Sequence, residues 1–205
     1  CIVLIGILKK HELGFVPLQA SKTTGEFGAA GSIGNSRGTH SKRRKAIMMY
    51  AYAYSKARAQ IARIPVQIRP DGDEFDAVVP AADVPDGTFD LDFAPEYENA
   101  AAHESGYMVA PRGGPYVKSS YMMCSFRPQP DCEHIIEGSA LPIFGVRRAD
   151  ACFVAIVTGM RCDYDTVVGV RGGIHYIFPR FRLDGERPYE DIAVRYCTLR
   201  GDNAD

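Results

Sequence analysis

The chain has 205 residues, of which 46% are hydrophobic and 24% charged, with a formal net charge of -1. That length is enough for a sizeable core, and the near-neutral charge argues against nucleic acid or a strongly anionic surface as partner. The local exception, Arg37, Lys42, Arg43, Arg44 and Lys45, has no stacking aromatics interleaved and reads as a solvated loop.

Cys1 to Leu8 is apolar but too short to cross a bilayer, and its charges follow the run instead of preceding it. It reads as a first strand or as the remnant of a signal peptide. No transmembrane helix is expected, and an extracytoplasmic or secreted setting is slightly favoured. Gly25 to Thr39 is rich in Gly, Ser and Thr, yet lacks both the phosphate-loop order and the G-x-G-x-x-G spacing, so it reads as an exposed loop.

Lys45 to Arg63 carries two competing periods. Ile47, Met48, Ala51, Tyr54, Arg58 and Ile61 recur at helical spacing, whereas Tyr50, Tyr52 and Tyr54 alternate as on one face of a strand. Extended structure from the tyrosines onward agrees better with the β-like sequence that succeeds them. The tyrosine row is then either a packed sheet face, the favoured reading, or a carbohydrate platform. Pro65 ends any helix or marks an edge. Pro70-Asp-Gly-Asp73 is a turn joining Val66–Arg69 to Phe75–Pro80 as a hairpin, and Pro85-Asp-Gly87 is a second turn. Phe89, Leu91 and Phe93 alternate with Asp90 and Asp92, which predicts one apolar and one acidic, solvated face. Glu96 to Glu104 is a short helix or a loop.

Gly106–Pro111 and Tyr116–Phe126 read as strands, and Arg127 to Asp131 as a proline-containing loop. The stretch Leu141 to Leu199 is the part around which the chain is organised. It holds four β-branched or aromatic runs, Ala151–Thr158, Asp165–Val170, Ile174–Phe178 and Ile192–Leu199, with a tight reversal at Arg171-Gly-Gly173. Both faces of the run around Phe153 to Val157 are apolar, as in a central strand. Arg195 suggests that the last run lies nearer an edge or open surface. Long amphipathic helices are missing, so the fold expected is mainly β, a large antiparallel β-sandwich (supersandwich-like) with little helix. Residues 61–205 form the sandwich domain, and 1–60 is a poorly assigned strand and loop segment contributing to it.

Signals for chemistry are sparse. The acids Glu104, Asp163, Asp165, Glu186, Glu190 and Asp191 supply the residue type that glycoside hydrolysis needs, but each sits beside a turn, where capping is the simpler role. The histidines are His11, His40, His103, His134 and His175, and none forms H-x-H or H-E-x-x-H. Cys132-Glu-His134 offers metal-ligand types without a closed coordination sphere. The adjacent residues His103-Glu-Ser105 cannot normally adopt the geometry of a hydrolytic triad. His175 reads as a structural histidine. The cysteines, at 1, 124, 132, 152, 162 and 197, show no C-x-x-C spacing, and Cys124 and Cys132 flank the proline-containing loop as the pair best placed to bridge in an oxidising compartment. No catalytic, cofactor-binding or metal residue is assigned, and no cofactor.

Three segments carry a family resemblance: Gly106-Tyr-Met-Val-Ala-Pro-Arg-Gly-Gly114, the stretch from Ile177 to Tyr196, and Leu199 to Asp205. In that order they resemble the amino-terminal β-sandwich of large bacterial glycoside hydrolases. There a Gly-Tyr-x-x-x-Pro-x-Gly strand and turn belongs to the sandwich, and a final strand with an x-Arg-Tyr-x-x-Leu pattern leads into a (β/α)₈ catalytic barrel. The likeness covers about residues 66–205. It implies a noncatalytic support domain that packs on a catalytic domain of the same polypeptide and shapes a glycan cleft, with catalysis by the parent hydrolase and not by this fragment. The alternatives are a stand-alone carbohydrate-binding sandwich and a small self-contained glycosidase with paired carboxylates.

Overall fold

The computed structural model describes residues 48–111, 121–137, 141–148, 151–160 and 163–199. These form two seven-stranded sheets in which every pairing is antiparallel. Sheet A runs in the order β2 (Gln60–Pro65), β1 (Tyr50–Tyr54), β5 (Asp90–Phe93), β13 (Ile174–Arg182), β12 (Tyr164–Arg171), β9 (Cys132–Ile136). A short β6 (Asn99–Ala101) pairs with the other end of β13. Sheet B runs β3 (Gln67–Asp71), β4 (Glu74–Val79), β14 (Ile192–Leu199), β11 (Cys152–Val157), β10 (Ile143–Arg148), β7 (Gly106–Pro111), β8 (Tyr121–Ser125). A 3-10 turn at Ala81–Asp83 is the helical element among the described residues. The fold is mainly β and sandwich-like, as the alternating runs predict.

One continuous core joins the sheets. Sheet A contributes Ala51, Ala53, Leu91, Phe93, Val168, Ile177 and Phe181; sheet B contributes Phe75, Ala77, Val79, Met108, Phe144, Ala155, Val157, Val194 and Tyr196. The period-two alternation places these side chains on the facing surfaces. Fully buried Phe93, Phe144 and Phe181 each contribute roughly 1.5–3 kcal/mol on the area scale. Phe75 stacks on Tyr196 at 5.2 Å, and Tyr97 meets Tyr196 edge-on at 4.8 Å.

Turn chemistry sets the hairpins. Gly172 and Gly173 have φ of 56° and 76°, so the two-residue loop joining β12 to β13 is one that glycine enters without steric cost. The loop after Asp71 likewise uses Gly72, at φ 62°. Pro65 ends β2, an edge strand of sheet A, and Val66 then leads into sheet B.

The structure differs from the sequence expectations at several places. Residues 99–101 form a strand instead of a helix or loop. Strand β13 continues through Pro179 to Arg182 instead of stopping at Phe178. The Ile177 amide donates to Glu98 O at 3.1 Å, so two residues later the Pro179 nitrogen faces the same side, in the interval between β6 and β5 where no ladder donor is required. Strand β14 lies inside sheet B and not at its edge; Arg195 instead takes the other expected position, on the open outer surface, where Asp76 on β4 pairs with it. Asp92 is buried and not solvated, because Arg180 on the neighbouring strand pairs with it. The run Cys1–Leu8, the Gly/Ser loop, the basic cluster, His11, His40, Cys1 and Cys162 lie outside the described residues.

Candidate functional site

The outer face of sheet A carries an open groove of about 480 Å³. Strand register builds it as cross-strand rows. Tyr52 on β1, Asp92 on β5, Arg180 on β13 and Asp165 on β12 are directly opposite one another in turn. Phe178, Val167 and Ile135 form a second row, and Asn99, Tyr176, Gly169 and Glu133 a third. Neighbours in a row are close enough for side-chain contact, and successive rows are two residues apart along a strand.

Arg180 is the hub. Its Nε donates to Asp92 Oδ1 at 2.6 Å and its Nη2 to Asp92 Oδ2 at 3.0 Å, the bidentate fork that guanidinium and carboxylate geometry favours. Nη1 and Nη2 also donate to Glu133 Oε1 at 3.3 and 3.2 Å. Burial pulls this guanidinium down, but the hydrogen bonds and charge of Asp92, then of Glu133, outweigh it and hold the group well above the ordinary arginine range. Because Arg180 and Glu133 stand in the first and third rows, their bridge crosses the middle row. This accounts for a small apolar cluster, Val167, Tyr176 and Phe178, that is buried on the outside of the sandwich.

Tyr176 lies over Gly169. A Cβ at Gly169 would collide with the Tyr176 hydroxyl and the Cys132 carbonyl oxygen, so glycine is what allows the ring to cross β12 towards β9. There the hydroxyl donates to Glu133 Oε2 at 3.1 Å. Burial first, then the charge and hydrogen bond of Glu133, push the Tyr176 phenol up to about 12. At the opposite wall Arg58 donates to Asp90 at 3.0 Å and to Asp92 at 3.4 Å, and Tyr52 donates to Glu96 at 2.9 Å. Burial and then Glu96 raise the Tyr52 phenol; burial and then the Asp92 charge raise Tyr54.

The tyrosine row faces outward, with Ala51 and Ala53 turned into the core. It is not the packed face expected, nor is it a bare platform. Arg63 sits 3.5 Å above the Tyr50 ring and Arg58 4.3 Å above Tyr54, so arginines from the β2 side already occupy aromatic faces.

Of the acids named from sequence, Asp165 alone stands in these rows. Glu104 accepts from the Ala101 amide and pairs with Arg148; Asp163 accepts from Tyr189; Glu190 accepts from the Met160 amide; Asp191 accepts from the Ala81 amide. Asp165 is buried beside Arg182 at 3.5 Å, and Glu186 lies exposed in the turn after Leu183. Glu104, Glu190 and Asp191 clamp backbone amides at turns and loops, the simpler role considered, whereas Asp165 lies within β12. His175 is buried, with Nε2 3.0 Å from the Arg127 carbonyl oxygen, as a structural histidine would be. His103 and His134 are exposed.

Strand alternation turns Glu133 to the groove and Cys132 and His134 to the other face, so that triplet does not converge. Among the described residues no group of His, Cys, Asp and Glu is arranged to hold a metal ion. Cys124 and Cys132 are free thiols on strands of different sheets; Cys152 and Cys197, both in sheet B, are free as well.

Among the groove residues that sequence reasoning missed are Arg58, Glu96, Glu133, Arg171 and Arg180. Alternation within β13 carried the available signal, since Ile174, Tyr176, Phe178 and Arg180 share one face. No family model matches the chain, and no curated protein matches it either.

Proposed function

We propose that the chain is a noncatalytic β-sandwich of a carbohydrate-active hydrolase, and that it holds glycan in the groove on sheet A while bond cleavage occurs in another domain of the same polypeptide. The observation that carries this reading is the state of the groove carboxylates. Glycoside hydrolysis requires a carboxyl group aimed at the leaving oxygen and a second one facing the sugar. Here both oxygens of Asp92 accept from Arg180, Oδ2 also accepts from Arg58, Glu133 is shared between Arg180 and Tyr176, and Glu96 accepts from Tyr52. Such an array fixes donors and acceptors in place, which suits a binding surface, and leaves Asp92 poorly placed to transfer a proton.

The groove is also of a size used for small ligands, and it mixes aromatic with hydrogen-bonding side chains in the way saccharides demand. The test is calorimetric and NMR titration of the chain with an oligosaccharide panel, beside a sensitive hydrolysis assay. Saturable binding perturbing Tyr52 and Tyr176, without turnover, is the expected result. Turnover lost on Asp92→Asn, in a variant that remains folded, overturns it.

A further inference from the structure

We infer that the groove selects uncharged saccharides and rejects acidic ones such as uronates and sulfated sugars; this rests on the glycan-binding reading of the groove. The three guanidinium groups lining the groove, Arg58, Arg171 and Arg180, are balanced by the three carboxylates Asp92, Glu96 and Glu133. Each guanidinium already has a carboxylate partner: Arg58 faces Asp90 at 3.0 Å, Arg180 faces Asp92 at 2.6 Å and Glu133 at 3.2 Å, and Arg171 lies 4.0 Å from Glu133. An anionic sugar in the groove therefore meets Arg58 and Arg180 with carboxylates already on them, and finds Arg171 only at the exposed rim. To pair with Arg58 or Arg180 it must displace a carboxylate, which leaves buried Asp92 short of a partner, or sit against acceptor oxygens that have no proton to share.

A hydroxyl escapes this penalty because it donates and accepts. Glu96 is exposed and has Tyr52 as its hydrogen-bond partner, leaving acceptor capacity for a sugar hydroxyl. Arg180 has five N–H groups, and the four contacts to Asp92 and Glu133 are made by Nε, Nη1 and Nη2, so one further N–H on Nη1 remains for a sugar oxygen. Ile174, 40% exposed at one end of the groove, offers apolar surface to a sugar C–H face.

The experiment titrates the chain with cellohexaose, xylohexaose and mannohexaose, and in parallel with hexagalacturonate, at moderate salt. At least one neutral hexasaccharide should bind, and hexagalacturonate should bind roughly tenfold more weakly or worse, a difference of about 1.4 kcal/mol. Glu96→Gln, at an exposed position, should shift the acidic-to-neutral affinity ratio towards the acidic ligand by roughly threefold or more, a change of about 0.65 kcal/mol. Glu133→Gln should shift it further, by uncovering Arg171 and part of Arg180. Folding failure weakens both ligands alike and does not reproduce a shift in their ratio. Equal or tighter binding of hexagalacturonate, or a ratio that neither substitution moves, overturns the charge selectivity while leaving the glycan reading standing. No binding by any of the four ligands overturns the glycan reading itself.

Discussion

Arg180 on sheet A and Arg195 on sheet B are built alike and placed differently. Each is directly opposite an aspartate on the adjacent strand, Asp92 and Asp76, and each makes a two-pronged contact, at 2.6 and 3.0 Å for Arg180 and at 2.8 and 2.9 Å for Arg195. The Arg180 side chain is 7% exposed, that of Arg195 34%. Arg195 is also spread over Asp71 and Glu74, at 3.4 and 3.7 Å on the open surface. One local motif thus serves two ends. On sheet B it lets a central strand carry an arginine outward. On sheet A it forms the floor of a groove and roofs an apolar cluster. Burial, and not hydrogen-bond geometry, separates them.

The largest expected effect comes from breaking the buried member. Asp92→Ala leaves Arg180 without its bidentate partner in a desolvated site, and a loss of about 3–5 kcal/mol is expected in urea denaturation. The substitution should also abolish glycan affinity, because the Arg180 to Glu133 bridge over Phe178 loses its anchor. If Asp92→Ala proves as mild as the matching change at Asp76, burial does not distinguish the two hubs.

Gly169→Ala probes the support beneath the same hub. The new methyl group would collide with the hydroxyl and Cζ of Tyr176 and with the Cys132 carbonyl oxygen, so the ring must lift and release Glu133 and the β9 backbone must give way. Overpacking of this kind costs roughly 1–3 kcal/mol. Reduced affinity should accompany it. Full stability in Gly169→Ala alone would show that the ring position is not what glycine secures there.

Glu98 sharpens the comparison as the buried carboxyl that received no arginine. It is 3% exposed, and among the described residues neither oxygen has a hydrogen-bond partner. Burial alone raises its carboxyl well above the usual range. Proton counting gives the sign. At pH below the ordinary glutamate range both folded and unfolded chains hold the proton, and this contribution to stability is intact. As pH rises the unfolded chain ionises first and binds fewer protons, so stability falls. Glu98→Met should remove that slope and gain about 1–3 kcal/mol near neutral pH, the cost of an unsatisfied buried polar group. Denaturation midpoints measured from pH 4 to 8 decide it: parallel curves for wild type and variant reject the assignment.

Much of the fold was legible because its determinants are local. Gly172 with Gly173 and Gly72 after Asp71 name their hairpins, and alternation around Leu91 and Ala155 names the inward faces. The groove was less so, because its parts are paired across sequence distances that no short pattern records. Asp92 and Arg180 lie 88 positions apart, and from Asp90-Leu-Asp92 alone an outward acid reads as solvated. Glu133 was hidden inside what resembled a metal triplet, since the neighbours Cys132 and His134 attract notice while strand alternation sends them the other way. Arg195 left two positions open for β14, and the open surface is the one observed: an arginine marks an edge only when no acid stands opposite, and Asp76 arrives from β4.

The smallest effect is expected at that exposed pair. The Arg195 hydrogen bond, more than its charge, holds the Asp76 carboxyl below the usual aspartate range, with partial burial opposing. Its contribution to stability is therefore present above the ordinary aspartate range and is lost as pH falls through the depressed native value. Solvent screening limits it to about 0.2–1 kcal/mol, and Asp71 and Glu74 remain to hold Arg195 when it goes. Asp76→Asn should accordingly lower stability slightly at neutral pH, with the gap closing in acid and narrowing in high salt. A loss that persists unchanged at low pH would mean that Asp76 acts through packing against β14 and not through its charge, and the two hubs would then differ in kind and not only in depth.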